Sequence, residues 1–533
     1  MTFPEDFNLA DFFLFDRLAE GLGDKVALRF GDLGYTYADV AERSTAFSGA
    51  LRELGVARGQ RLYLVLPDTP SFAWSLFGSL AHGAVVTLGN PHAATADLAA
   101  VIDYVRAAVV VTVPRVAEAL RQELRESPWV RAVLLAREAA TGEDDQVEIA
   151  VPGGLGGVLA MTLPEALGLG RRSVTPPLPK TKRDDEALWL FTSGSTGRPK
   201  AAIHTHRDFA FNTEAYAKGT VGYRRDDVTV SVPRLFFGYA TGTNLLFPFA
   251  VGATVGLFSE KPTPESLGAA VARYRATVVT NVPTMMGKLL EHGGPLDLSS
   301  VRFHLSAGEA LPQPLLERFL ARFGAEVYDG IGSAEMFHIY ATNRPGDVRP
   351  GSLGRAVDGY SLRVLPEDAE APGAEPVPAG EIGVLWVKGD SVALGYFQDR
   401  DKSWRTFHGH WCRTGDLFRL DADGYLWFVG RSDTLLKVSG QFVAPLEVEA
   451  CLATHPAVAE AAVIGAQEDG LTRVKAFVVL RHAVEPAELL AHVKARLAGF
   501  KVPRWLVVMD ALPRNDREKV DKKLLQDRDD PCE

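Results

Sequence analysis

The chain has 533 residues, 47% hydrophobic and 23% charged, and its 57 Lys and Arg against 67 Asp and Glu leave a formal charge of −10. Such a chain has apolar surface for several domains or subdomains, which excludes a disordered or fibrous protein. The acid excess gives no general attraction for nucleic acid or an anionic membrane, and no apolar run approaches the ~18 residues of a membrane span.

Glu5, Asp6 and Asp11 stand where a secretory leader would carry positive charge. Cys412, Cys451 and Cys532 are too few and too scattered for a disulfide framework or a zinc site, so a reducing, cytoplasmic location is expected. Residues 61–67 (RLYLVLP) then read as a buried strand, 70–82 as a partly helical pattern and 85–88 as another strand. The same rhythm returns at 109–113, 228–232, 254–258, 278–280 and 303–306, which predicts an α/β fold with largely parallel sheets. After about residue 350 short strands dominate, at 360–365, 383–388, 416–420 and 425–429, with a surface loop at 366–380 and a turn at 421–424. The tail reads as helix 445–454, strands 458–464 and 474–480, helix 486–498 and strand 505–508. That is a small α+β unit.

Residues 188–191 read as a strand, and helical spacing begins near His206. Between them runs Thr192-Ser-Gly-Ser-Thr-Gly-Arg-Pro-Lys200. Glycines let main-chain N–H groups approach an anion, hydroxyls add donors and lysine adds charge, so the segment suits a phosphate. A Ser/Gly stretch is as readily a plain flexible loop. The P-loop spacing is absent, and so is the nucleophile elbow, because Ser193 replaces its first glycine. A serine-type amidase or hydrolase stays open as an alternative. It needs a base, and His204 and His206 read as structural or surface histidines.

The 192–200 segment resembles the phosphate loop of the ANL superfamily of adenylate-forming enzymes, and further motifs in family order extend the resemblance over nearly the whole chain. It implies that Thr192, Ser193, Gly194, Ser195, Thr196 and Lys200 hold ATP phosphates. Residues 306–311 (SAGEAL) are similar to the adenine-packing loop, giving Gly308, Glu309 and Ala310. Residues 328–335 (YDGIGSAE) match the segment in which Asp329, Gly330, Ile331, Gly332 and Ser333 contact the nucleotide and Glu335 holds Mg²⁺. Ala334 stands where the family commonly has threonine, so one hydroxyl donor to the α-phosphate falls to Ser333 or the 192–196 loop.

Asp416 in 411–416 (WCRTGD) matches the ribose acid, and Arg431 in 430–440 (GRSDTLLKVSG) a ribose or phosphate contact. By the same resemblance Asp433 is the hinge about which a small domain turns. Lys437, Ser439 and Gly440 border the coenzyme A path, and surface bases Lys475 and Lys501 join Lys437 as candidates for CoA phosphates. Residues 512–519 (LPRNDREK) resemble the segment that delivers the catalytic lysine, Lys519, six positions after Pro513. Thr192 and Glu335 complete the implied catalytic set. Glu518 stands where the family usually has glycine, which implies slower adenylation.

Residues 232–244 (VPRLFFGYATGTN) lie where the family places its acyl pocket, and with Gly332 and 336–339 (MFHI) they resemble the benzoate–CoA ligase branch. Phe236, Gly238, Tyr239, Gly332, His338 and Ile339 would then line a slot for a flat ring. Gly238, where alanine is common in that branch, implies room beside the ring for an ortho amino or hydroxyl group. Benzoate and anthranilate (2-aminobenzoate) are both expected substrates.

The resemblance implies a large N-terminal domain, 1–432, with α/β-sandwich and β-barrel subdomains and the ATP and aryl-acid sites. A small mobile α+β cap, 433–533, follows. The implied reaction joins an aryl acid to CoA with ATP and Mg²⁺ through aryl-AMP, in a monomer or homodimer. The alternative within the family is a stand-alone aryl-acid adenylating enzyme that loads a carrier protein. A luciferase-like oxygenase has no support in the sequence.

Overall fold

The computed structural model describes residues 1–138, 153, 155–193, 199–431, 436–438, 441–468, 471–514 and 520–526. Two large sheets dominate. A seven-stranded sheet runs in the order Leu159–Thr162, Ala132–Leu135, Val109–Thr112, Arg61–Val65, Val85–Leu88, Glu186–Ser193, Pro199–Thr205. It is parallel except at its last pair. A nine-stranded sheet has a parallel centre in which Val278–Asn281, Phe303–Ser306 and Glu326–Gly332 lie side by side. The β-α-β rhythm of the sequence is therefore the fold.

Helix Pro70–His82 is buried on nearly every residue, and this explains why its spacing is only partly helical in the sequence. Proline at its first turn and Gly83, left-handed at φ 83, set its limits. Helices Tyr37–Glu53 and Leu163–Arg171 each begin with a capping box, Thr36 with Asp39 and Thr162 with Glu165. They cross at Gly49 and Gly170. A Cβ on Gly170 would stand 1.7 Å from the Ala46 carbonyl oxygen, so no other residue fits that crossing.

The region expected to hold a barrel subdomain is a five-stranded antiparallel sheet of Ser361–Leu365, Ile382–Lys388, Phe407–His408, Trp411–Leu420 and Leu426–Arg431. Its hydrogen-bonded order is open among the described residues. The tail forms a three-stranded sheet of Val458–Glu468, Leu471–Leu480 and Trp505–Met509 with helices Pro445–Ala453 and Pro486–Lys494. This unit has a core of its own around Val448, Leu452, Val463 and Leu489.

One element departs from the sequence reading. Strand Glu186–Ser193 is followed by a second strand, Pro199–Thr205, which pairs with it antiparallel from Ser193↔Pro199 to Glu186↔Thr205, and only then by helix His206–Asn212. The Ser/Thr/Gly segment thus joins two strands of a hairpin instead of a strand and a helix. The polar residues Lys200 and His204 hide this strand from hydropathy. His204 is buried because its ring lies between the Asp208 carboxylate (3.0 Å) and the Ala334 carbonyl (2.6 Å).

Candidate active site

A cleft of about 1120 Å³ opens at the carboxyl ends of the parallel strands and is closed on one side by the tail unit. Ligand sites of open α/β sheets form at these strand ends. Thr192 reaches it from the end of strand Glu186–Ser193, and Gly308, Glu309 and Ala310 from the loop after Phe303–Ser306. Asp329, Gly330, Ile331, Gly332 and Ser333 line it from strand Glu326–Gly332 and its end. Asp416 and Arg431 face each other across a strand pair and meet at 3.4 Å on the same cleft. Glu309 has a holding role in its loop, since its carboxylate accepts from the Thr284 N–H (3.1 Å) and hydroxyl (2.8 Å).

Phe236, Gly238, Tyr239, His338 and Ile339 gather at one end of this cleft. A Cβ on Gly332 would stand 2.5 Å from the His338 carbonyl oxygen, so the main chain at 338 runs against a glycine. Phe337 has φ 67 and ψ −57, and the His338 N–H returns to the Met336 carbonyl at 2.9 Å. This is a strained three-residue turn at a buried phenylalanine, held by its ring contact with Phe209 at 4.2 Å. It aims His338 between Tyr239, Tyr216 and Phe247. Burial pushes the His338 imidazole down to about 4, so the ring is neutral at pH 7. Its Nε2 lies 3.0 Å from the Tyr239 carbonyl and therefore donates, which leaves Nδ1 as an acceptor with no partner among the described residues. The space beside Gly238 is bounded by Leu190: a Cβ there would lie 3.2 Å from Leu190 Cδ2 and 3.3 Å from Cδ1. Leu190, which no sequence motif marks, is therefore part of the slot.

Asp329 is buried, and burial pushes its carboxyl up to about 8 against the pull of the Ser306 hydroxyl and the Gly330 amide. At neutral pH it is largely protonated and offers a donor to the cleft.

Glu335 and Lys200 both lie near Tyr396, outside the residues that line the cleft. The Tyr396 hydroxyl donates to Glu335 Oε1 at 2.7 Å, and Lys200 Nζ lies 5.9 Å from the Tyr396 ring centre and 3.8 Å from Asp399. Burial and the Glu335 carboxylate push the Tyr396 phenol well above its ordinary value, so it stays a donor. Glu335 Oε2 has no hydrogen bond among the described residues, and no three His, Cys, Asp or Glu side chains gather there as a metal site. A Mg²⁺ ion fits beside Glu335 when phosphate oxygens and water supply the other ligands.

Gly194, Ser195, Thr196, Asp433, Ser439, Gly440 and Lys519 lie outside the described residues, and Ser193 and Lys437 are described in their main chain. Arg514 and Val520, on either side of 515–519, pair in an antiparallel bridge and both line the cleft. Two of the CoA candidates fail as surface bases. Lys475 is 5% exposed, over the Phe477 ring, and Lys501 is paired with Glu447 at 2.6 Å. The base that a serine hydrolase needs is also missing from the two nearby histidines. His204 is bound as above. His206 accepts from the Leu9 N–H at 3.1 Å, and burial pushes it down to about 4.

Residues 15–397 match the AMP-binding enzyme family and residues 447–519 the AMP-binding enzyme C-terminal domain. The chain is 37% identical over 528 residues to a benzoate–CoA ligase of Thauera aromatica, covering 97% of this chain and 95% of that one. The solved structure of the anthranilate CoA ligase AuaEII with anthranoyl-AMP superposes with a TM-score of 0.87 at 32% identity, covering 98% and 97% of the two chains. A benzoate CoA ligase from Burkholderia xenovorans LB400 superposes with a TM-score of 0.84 at 35% identity, covering 98% and 100%.

Proposed function

The chain belongs to the AMP-binding enzymes, and from that premise we infer an ATP-dependent ligase that joins an aromatic carboxylic acid to coenzyme A. The observation that carries this reading is a single cleft holding Thr192, the 308–310 loop, Asp416 and an aromatic slot around Tyr239 and His338. Full-length similarity to benzoate and anthranilate CoA ligases supports it and disfavours a carrier protein as acceptor.

The substrate is benzoate or a small ring-substituted benzoate such as anthranilate. In the first half-reaction its carboxylate oxygen attacks the α-phosphorus of ATP. The bond from that phosphorus to the oxygen shared with the β-phosphate breaks, and pyrophosphate leaves with that oxygen and its electron pair. In the second, the CoA thiol gives up its proton and attacks the acyl carbon of aryl-AMP, and AMP leaves. No protein nucleophile is needed, so the protein contributes position and charge.

In this reading the 308–310 and 329–333 segments hold adenine, Asp416 and Arg431 the ribose, and Thr192, Ser193, Gly194, Ser195, Thr196 and Lys200 the phosphates. Glu335 holds Mg²⁺, which offsets phosphate charge when bound. Lys519 stabilises the charge on the attacked phosphate, a role supported by Arg514 and Val520 on the cleft wall. Domains 1–432 and 433–533 turn about Asp433 between the two half-reactions, and Lys437, Ser439 and Gly440 then border the CoA thiol.

Lys519→Ala tests the catalytic assignment. Aryl-acid-dependent exchange of pyrophosphate into ATP should fall ~10²–10³-fold, the scale of one lost transition-state donor. Conversion of supplied aryl-AMP and CoA to aryl-CoA should persist. Equal loss of both half-reactions would remove Lys519 from this role.

A further inference from the structure

The aromatic slot is held from outside by a buried ion pair that no motif marks. Asp68 follows strand Arg61–Val65 of the seven-stranded sheet, and Arg234 follows strand Val228–Ser231 of the nine-stranded one. Arg234 Nη1 lies 3.6 Å from Asp68 Oδ2, and the two side chains are 13% and 3% exposed. Asp68 Oδ1 accepts from the Leu235 N–H at 2.9 Å, a bond that spans 167 positions. One carboxylate oxygen thus faces the cation and the other a main-chain amide. The Arg234 guanidinium is fixed in turn: it donates to the Phe258 carbonyl at 2.6 Å and to the Glu260 carbonyl, and it stacks over the Phe258 ring at 4.6 Å.

Leu235 is where the chain turns into the slot. It is fully buried, its carbonyl accepts from the Thr241 hydroxyl at 2.6 Å, and the Phe237 N–H returns to the Arg234 carbonyl at 2.9 Å. The next four residues, Phe236, Phe237, Gly238 and Tyr239, all line the cleft, whereas Asp68 and Arg234 do not. Two apolar side chains of similar volume would stabilise the place of a buried ion pair as well. What the pair adds here is direction, a carboxylate oxygen aimed at one amide. We propose that Asp68 is a positioning residue for the aryl acid: its bond to Leu235 sets where the 236–239 wall of the slot stands, and Arg234 holds the carboxylate to that aim. Burial pushes the Asp68 carboxyl up to about 6 and Arg234 pulls it back, so at pH 7 it is largely ionised. The proposal rests on the ligase reading for the identity of the acid alone.

The test compares two changes in the full-length protein. Asp68→Leu combined with Arg234→Met replaces the pair by apolar side chains and removes the acceptor, whereas Asp68→Asn keeps an acceptor for Leu235. KM for benzoate and anthranilate, KM for MgATP, the melting temperature and amide hydrogen exchange over 232–244 are measured for each. The double variant should melt near the wild type. Its KM for both aryl acids should rise about tenfold, the scale of one lost buried hydrogen bond, with the KM for MgATP unchanged. Exchange protection should fall in 232–244 and persist elsewhere. Asp68→Asn should restore most of the aryl-acid KM and of the protection. An unchanged aryl-acid KM, an equal rise in the KM for MgATP, unchanged exchange over 232–244, or an asparagine variant as impaired as the double variant would each overturn the assignment. A double variant that does not fold passes the decision to Asp68→Ser, whose hydroxyl stands one bond short of the Leu235 N–H, under the same measurements. If the wild type adenylates no aryl acid, the ligase reading fails while exchange over 232–244 still judges the tie from Asp68.

Discussion

Asp329 gives the most specific residue-level consequence. Its carboxyl titrates near 8 in the fold and at 3.8 when free, so between those values the folded chain keeps a proton that the unfolded chain has released. The stability this group contributes is present at low pH and lost as the pH rises through that window. An uncharged amide at this position carries no such dependence. The melting temperature of Asp329→Asn minus that of wild type, without nucleotide, should therefore grow from pH 5 to pH 8, and a flat or shrinking gap would show that Asp329 is ionised in the fold. Motif residues such as Asp416 and Gly308 are legible in the sequence because each sits in a short local pattern. Tyr396 is not, since its bond to Glu335 spans 61 positions and no local signal joins them. Leu190 escapes for the same reason. A leucine in a strand announces core, and only the packing against Gly238 reveals it as a wall of the slot.

At the level of elements, the aromatic slot depends on two glycines with different neighbours. Beside Gly332 stand main-chain atoms, His338 O at 2.5 Å and Ile339 N at 2.8 Å, which have no rotamer to adopt. Gly332→Ala should cost about 1–3 kcal/mol of stability and raise the KM for the aryl acid, as overpacking does. Beside Gly238 stands the flexible Leu190 side chain, which yields by entering the slot. Gly238→Ala should keep near-normal stability and lower kcat/KM for anthranilate relative to benzoate ~10-fold, the worth of about one methylene of fit. Equal losses for both acids would place the ortho position away from Leu190. Strands dominated by apolar residues, such as Val85–Leu88 and Val109–Thr112, are legible from hydropathy to within a residue because both faces are buried. Strand Pro199–Thr205 is not, because Lys200 and His204 interrupt its apolar pattern, and their partners, Asp399 and Ala334, come from elsewhere in the chain.

The tail unit lies over a cleft built mostly by the rest of the chain and walled on one side by its own residues. Helix Pro445–Ala453 contributes Leu446, Glu449 and Ala450 to the wall, and Arg481 reaches Glu291 at 3.4 Å across the two parts. In the proposed cycle this contact breaks when the cap turns. The acidic net charge conceals local cations on the cleft wall, such as Arg431 and Arg514. The proposed activity is an ATP-dependent aryl–CoA ligation through aryl-AMP. It is tested most directly by incubating the protein with MgATP and a panel of aryl acids, with and without CoA, and quantifying AMP, pyrophosphate exchange and aryl-CoA. Aryl-acid-dependent exchange is expected without CoA, and equal amounts of AMP and aryl-CoA with it. Aryl-acid-dependent AMP release that CoA never converts into aryl-CoA, or no dependence on aryl acid at all, would contradict it.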